Sequence, residues 1–108
     1  MVWFSLLTDN NRMREFSQWT GSELRYEVDF SSVATERSTS VSSVTWTSEG
    51  TLQLSVSNEN LTSSVARADV SGGDSFNGFG LMKVAATYAD GTTENVYFKV
   101  RVEDPELV

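Results

Sequence analysis

The chain has 108 residues, a length that fits one domain with a hydrophobic core of its own. It has no cysteine and no histidine, which excludes disulfides, thiolate metal sites and every nucleophile–histidine device. The formal net charge of -7 argues against a nucleic-acid backbone or an anionic membrane as partner, since both are bound through Lys and Arg.

Met1 to Thr20 stands apart from the rest. Trp3, Phe4, Leu6 and Leu7 come first, and Thr8-Asp9-Asn10-Asn11 interrupts them with turn and cap formers. Met13, Phe16 and Trp19 then recur at a three-residue spacing that fits one face of a short helix, with Gly21 where such a helix would stop. Residues 1–20 therefore read as an N-terminal arm, helical or extended. Met1–Leu7 lacks the basic start and cleavage site of a secretory signal, so the chain reads as soluble and unprocessed. The arm's apolar residues either plug the domain's own core or pack on another subunit. Trp3, Phe4, Leu6, Met13, Phe16 and Trp19 are its candidate partner contacts.

From Glu23 onward the pattern is β. Leu24, Tyr26, Val28 and Phe30 alternate with polar residues, which predicts a strand over Glu23–Phe30. Ser31–Ser40 is polar and reads as a loop. Val41–Thr47 reads as a strand with Val44 and Trp46 on one face, and Glu49-Gly50 as a turn. Thr51–Ser57 is expected as a strand with Leu52, Leu54 and Val56 inward, followed by a turn at Asn58-Glu59-Asn60. Thr62–Val70 is expected as a strand burying Ala66, Ala68 and Val70. The glycine-rich stretch Ser71–Phe79 reads as a loop. The clearest signal is a closing hairpin: Met82, Val84, Ala86 and Tyr88 face Val96, Phe98, Val100 and Val102 across a turn at Asp90-Gly91. Pro105 ends the last strand.

These elements predict an all-β fold, an immunoglobulin-like antiparallel β-sandwich of about six or seven strands, preceded by an N-terminal arm. The sandwich domain would span 21–105, with 106–108 as a tail. Trp46 is the expected central core residue, with Phe98, Val84 and Leu54 around it.

Little in the sequence suggests chemistry. A Ser-Lys pair is formally available, but Lys83 and Lys99 fall on the outer face of the hairpin, where they serve to solvate it. Asp69, Asp74, Asp90 and Asp104 fall near strand ends without the Asp-x-Asp-x-Asp spacing of a calcium loop, and read as turn formers. The loop Gly72–Gly80 lacks the Gly-Lys-Ser/Thr ending of a phosphate-binding loop. Within it, Phe79 reads as a pin onto the sandwich end and Phe76 as a further candidate partner contact. The expectation is a non-enzymatic protein with no cofactor and no metal.

Two sets of motifs resemble known families. SVSSVTWTSEGTLQLS, then VARADVSGG, then LMKVAATYADGTTENVYFKVRVEDP resembles bacterial immunoglobulin-like domains. ELRYEVDFSSV ahead of SSVTWT, with LTSSVARADVSGG later, resembles small phage fibre-tail adaptor proteins. The resemblance covers Glu23 to Pro105, and the aromatic arm departs from it. It implies a virion structural protein that joins tail or neck to a fibre or other tail component. The partners would be other phage virion proteins of tail, neck, fibre or capsid, with the chain a homo-oligomer in the assembled particle after synthesis in the bacterial cytoplasm. Neither nucleic acid nor membrane would be a partner. A capsid decoration (cement) protein of the phage head would use the same fold and arm. A carbohydrate-binding immunoglobulin-like module is the reading from another class.

Overall fold

The computed structural model describes residues 2–5 as backbone, and residues 14–50, 52–72 and 78–104. Their elements run β1 (Val2–Ser5), β2 (Arg14–Trp19), β3 (Glu23–Asp29), α1 (Ser31–Glu36), β4 (Val41–Ser48), β5 (Ser55–Thr62), β6 (Val65–Ser71), β7 (Gly78–Tyr88) and β8 (Thr93–Glu103). They form two four-stranded sheets, ordered β1-β3-β6-β5 and β2-β8-β7-β4. Alternate residues of each sheet face the other, and the chain is an immunoglobulin-like β-sandwich.

The closing hairpin forms as its alternation predicts. Every second residue from Met82 to Tyr88 and from Val96 to Val102 is buried. Thr87 lies opposite Thr93, and Met82 opposite Phe98. The turn is a three-residue loop with a bulge: the Gly91 N–H donates to the Tyr88 carbonyl at 2.9 Å, and the Tyr88 N–H to the Thr92 carbonyl at 2.8 Å. Gly91 alone of the turn pair takes positive φ, at 92°. Asp90 works through its side chain instead, accepting hydrogen bonds from the Thr92 N–H and hydroxyl.

The core is centred on Phe98 rather than on Trp46. Phe98 is fully buried, and its ring lies 5.1 Å from Tyr26, 5.7 Å from Phe16 and 6.2 Å from Trp46. Trp46 is buried too, but at the margin of this aromatic cluster. Val84 and Leu54 belong to the same core, as expected.

Several expectations are corrected. Arg14–Trp19, expected within the arm and on a short helix, is strand β2 and belongs to the sandwich. Its inward positions are Arg14, Phe16 and Gln18, two of them polar, so the period-2 pattern carries no hydrophobic signal and the three-residue spacing misleads. The sandwich is also not purely antiparallel, because β1 runs parallel to β3 and β2 parallel to β8. The stretch Ser31–Ser40 contains helix α1, whose Val33 and Ala34 are buried. The next strand is Ser55–Thr62, not Thr51–Ser57. Leu52 and Leu54 enter the core from the connection before it. Asn58-Glu59-Asn60 lies inside that strand, where a register shift between Ser57 and Asn60 and positive φ at Asn58 mark a bulge. The turn falls instead at Ser63-Ser64, both at positive φ, before strand β6 at Val65. Two serines make an unusual turn of this kind, and tertiary bonds support it. The Ser64 carbonyl accepts from the Phe30 N–H at 2.9 Å, and its hydroxyl oxygen from the Val41 N–H at 3.1 Å.

Two glycines are fixed by close approach, Gly80 against Leu54 and, more tightly, Gly72 against Val102. A Cβ on Gly72 would lie 2.2 Å from Cγ2 of the buried Val102 on β8. Gly72→Ala is therefore expected to destabilise the fold by about 1–3 kcal/mol through overpacking. Urea unfolding of the variant checks this, and an unchanged midpoint would show that Val102 yields freely.

Candidate functional site

Strand β2 carries Phe16 and Trp19, the candidate contacts whose side chains the structure describes, and with the turn after it builds the site. β2 lies along the sheet edge beside β8, with Phe16 opposite Val100, Gln18 opposite Val102 and Trp19 opposite Glu103. The Thr20 N–H continues the attachment, donating to the Glu103 carbonyl at 2.9 Å. The Ser22 N–H donates to the Trp19 carbonyl at 3.1 Å, so Gly21 lies in a tight turn between the two sheets rather than at a helix end.

Gln18 locks this turn to the core. Its side-chain carbonyl accepts the Tyr26 hydroxyl at 2.9 Å. Its amide donates to the carbonyls of Ser22, at 3.0 Å, and Val70, at 3.2 Å. Gln18 and Tyr26 are both buried, and their mutual bond satisfies the Tyr26 hydroxyl and the Gln18 side-chain carbonyl away from water. One amide thereby ties β2, β3 and β6 together across the sandwich.

Rigid backbone at Gln18 leaves its neighbour Trp19 facing solvent. Ser17, Gln18, Trp19, Ser22, Leu24 and Glu103 line a shallow groove of about 270 Å³. An exposed indole on a fixed strand beside such a groove loses little freedom when it is covered, which suits a contact residue.

The remaining candidates separate. Phe16 packs edge-on against Tyr26 and Phe98 and is partly buried against the core. Trp3 and Phe4 lie on β1, of which the backbone alone is described. Leu6, Met13 and Phe76 lie outside the described residues. Phe79, expected as a pin, stands on β7 facing outward, with the Lys99 ammonium and the Arg101 guanidinium over its ring. The position of Phe79 in the period of β7, odd-numbered like Leu81 and Lys83, already carries that signal in the sequence.

Ionisable groups on the strands are mostly spent on one another. Arg25 pairs with Asp69 at 3.0 Å and Arg67 with Glu27 at 2.7 Å, both across the β3–β6 ladder. Hydrogen bonds from Asn58 and then Arg25 hold the Asp69 carboxyl below its ordinary range. Thr92 does the same for Asp90. Among the described residues no three His, Cys, Asp or Glu side chains come together as a metal site requires, and Asp74 lies outside them.

Burial pushes the Tyr26 phenol up to about 12, and burial followed by the Glu94 carboxylate raises Tyr88 as well. Both ionise more readily in the unfolded chain, whose tyrosines titrate near 10. Their contribution to stability is therefore complete below pH ~10 and is lost as pH rises from there through about 12. Urea midpoints measured across that range should fall with pH, and the loss should be smaller in Tyr26→Phe. Equal losses in both proteins would remove Tyr26 as a cause.

No family model matches the chain, and no curated protein is similar to it in sequence. Among solved structures, it is similar to the cysteine protease inhibitor EhICP2 from Entamoeba histolytica. That match has 9% identity over 94% of each chain and a TM-score of 0.56. It is also similar to the PKD domain from the KIAA 1837 protein, with 15% identity over 89% of this chain and 84% of that one, at a TM-score of 0.52. At these identities the likeness shows the fold alone.

Proposed function

We propose that the chain is a non-enzymatic structural protein of a bacteriophage particle, an adaptor that joins tail or neck to a fibre or another tail component. The observation that carries a contact role is Trp19, solvent-facing beside a groove on a strand held by the buried Gln18–Tyr26 bond. The motifs between Glu23 and Pro105 support the phage setting. A sandwich whose β3–β6 ladder carries two flat cross-strand ion pairs suits a structural body better than a reaction site. In this reading the chain acts in the virion in several symmetric copies, after synthesis in the bacterial cytoplasm, against other virion proteins.

Immunogold electron microscopy of particles released on lysis of the source culture tests the proposal. Label at the tail or neck is the expected result. Label spread over the head would make the chain a capsid decoration protein. Particles without label would end the virion reading, and a glycan array would then test the carbohydrate-binding alternative. Trp19→Ala should fold normally and weaken incorporation into particles.

A further inference from the structure

The strand order leaves β1 and β5 at the edges of one sheet and β2 and β4 at the edges of the other. An edge strand presents unpaired N–H and C=O groups to any further strand, and shortness, charge, proline or a bulge normally blunts it. β1 is four residues long. β2 carries Arg14 and Glu15, and β5 carries Glu59 and the bulge at Asn58. β4, with the sequence VSSVTWTS, has neither charge nor proline over its eight residues. Its register shift, between Val41 and Ser43, leaves the run from Ser43 to Ser48 regular.

The ladder fixes which groups of β4 face that open edge. The Glu49 N–H donates to the Leu81 carbonyl at 2.7 Å, so these two opposed residues form a hydrogen-bonded pair. Bonded and non-bonded pairs alternate along an antiparallel ladder. Ser43, Thr45 and Thr47 therefore bond to β7, and the N–H and C=O groups of Val44 and Trp46 point away from it. Among the described residues no backbone group answers those of Val44 and Trp46. On the same strand Val44 and Trp46 turn their side chains inward, while Ser43, Thr45 and Thr47 are exposed.

We propose that β4 pairs antiparallel with β4 of a second copy, about a two-fold axis through Thr45. Self-complementarity selects this occupant. With Thr45 opposite Thr45, each Val44 faces a Trp46, and both residues of that pair hold outward backbone groups to exchange. Ser43 then faces Thr47, so only hydroxyl side chains meet on the outer face. The inward residues of both copies stay on one side of the joined sheet, which a slip by one residue would forbid. Charge points the same way: copies of a chain with net charge -7 repel, and of the edges with described side chains β4 alone brings no charge against another. The inference rests on this edge and not on the virion reading, and its test uses the isolated chain, so either can fail without the other.

Sedimentation equilibrium of the full chain up to about 1 mM should show a reversible monomer–dimer equilibrium, as a small interface gives. Thr45→Lys and Thr45→Glu should each keep a cooperative melt, since Thr45 is exposed, and each should be monomeric. Mixed in equal amounts, they should form a heterodimer about tenfold tighter than either homodimer. Val44→Pro removes an N–H that β7 does not use, and should abolish the dimer while the fold survives. A wild-type chain that stays monomeric throughout would overturn the proposal and leave the edge to a foreign strand. A dimer that persists in Thr45→Lys and Val44→Pro would place the contact elsewhere and overturn it. A mixture of the Lys and Glu variants that stays monomeric would remove Thr45 from the axis, and with it the proposed pairing.

Discussion

Phe98→Ala is expected to lower the unfolding free energy by about 3–5 kcal/mol. Phe98 is fully buried, and its ring touches the rings of Phe16, Tyr26 and Trp46, which come from β2, β3 and β4. Truncation removes a phenyl group from the centre of the core and leaves a cavity that three ring systems on separate strands cannot all collapse to fill. Domains of this size have total stabilities of about 5–15 kcal/mol, so the variant would be marginal at best. A calorimetric melt should show the midpoint lowered by roughly 10–20 °C, or no cooperative transition. Trp46→Ala, at the margin of the cluster, should cost less. A smaller loss for Phe98→Ala than for Trp46→Ala would return the centre of the core to Trp46.

Gln18→Leu is expected to cost about 2–4 kcal/mol although it adds apolar surface to a buried site. The Tyr26 hydroxyl loses its acceptor, and the Val70 and Ser22 carbonyls lose the Gln18 amide. A buried group left unpaired carries a desolvation cost of about 1–3 kcal/mol. Tyr26→Phe should cost less, since it removes one bond and leaves the Gln18 amide still engaged. Combined with Gln18→Leu it removes the orphaned hydroxyl, so the double variant should be more stable than the sum of the singles by roughly 1 kcal/mol. Urea denaturation of the four proteins measures that coupling. Strict additivity would mean that the 2.9 Å contact contributes nothing specific.

The parts of the fold legible in the sequence are those where local pattern and tertiary demand agree. β7 and β8 alternate cleanly because one face is core and the other is solvent, and Asp90-Gly91 suits the turn. β3 is legible for the same reason. β2 was hidden because its inward residues include Arg14 and a glutamine whose burial depends on Tyr26, a partner eight residues away. The turn at Ser63-Ser64 was hidden because its support comes from Phe30 and Val41, distant in sequence. β5 shifted because Leu52 and Leu54 reach the core without ladder bonds, while polar Asn58–Asn60 sits in an edge strand, where no burial is needed. At the candidate site, the sequence singled out Trp19 through its aromatic surroundings but could not separate it from Phe16. That separation depends on the side of the strand each occupies.

The parallel pairing of β2 with β8 has a mechanical consequence. Over six residue pairs, from Arg14–Phe98 to Trp19–Glu103, the two strands run in the same direction. Tension applied through the chain before Arg14 and after Glu103 therefore draws them past each other along their length. The evenly spaced bonds of a parallel ladder then share the load, whereas a hairpin pulled at its open end breaks its bonds one by one. Gln18, anchored on Val70 and Tyr26, resists the same displacement from inside the sandwich. Force applied at those two points thus loads the β2–β8 edge pair in shear.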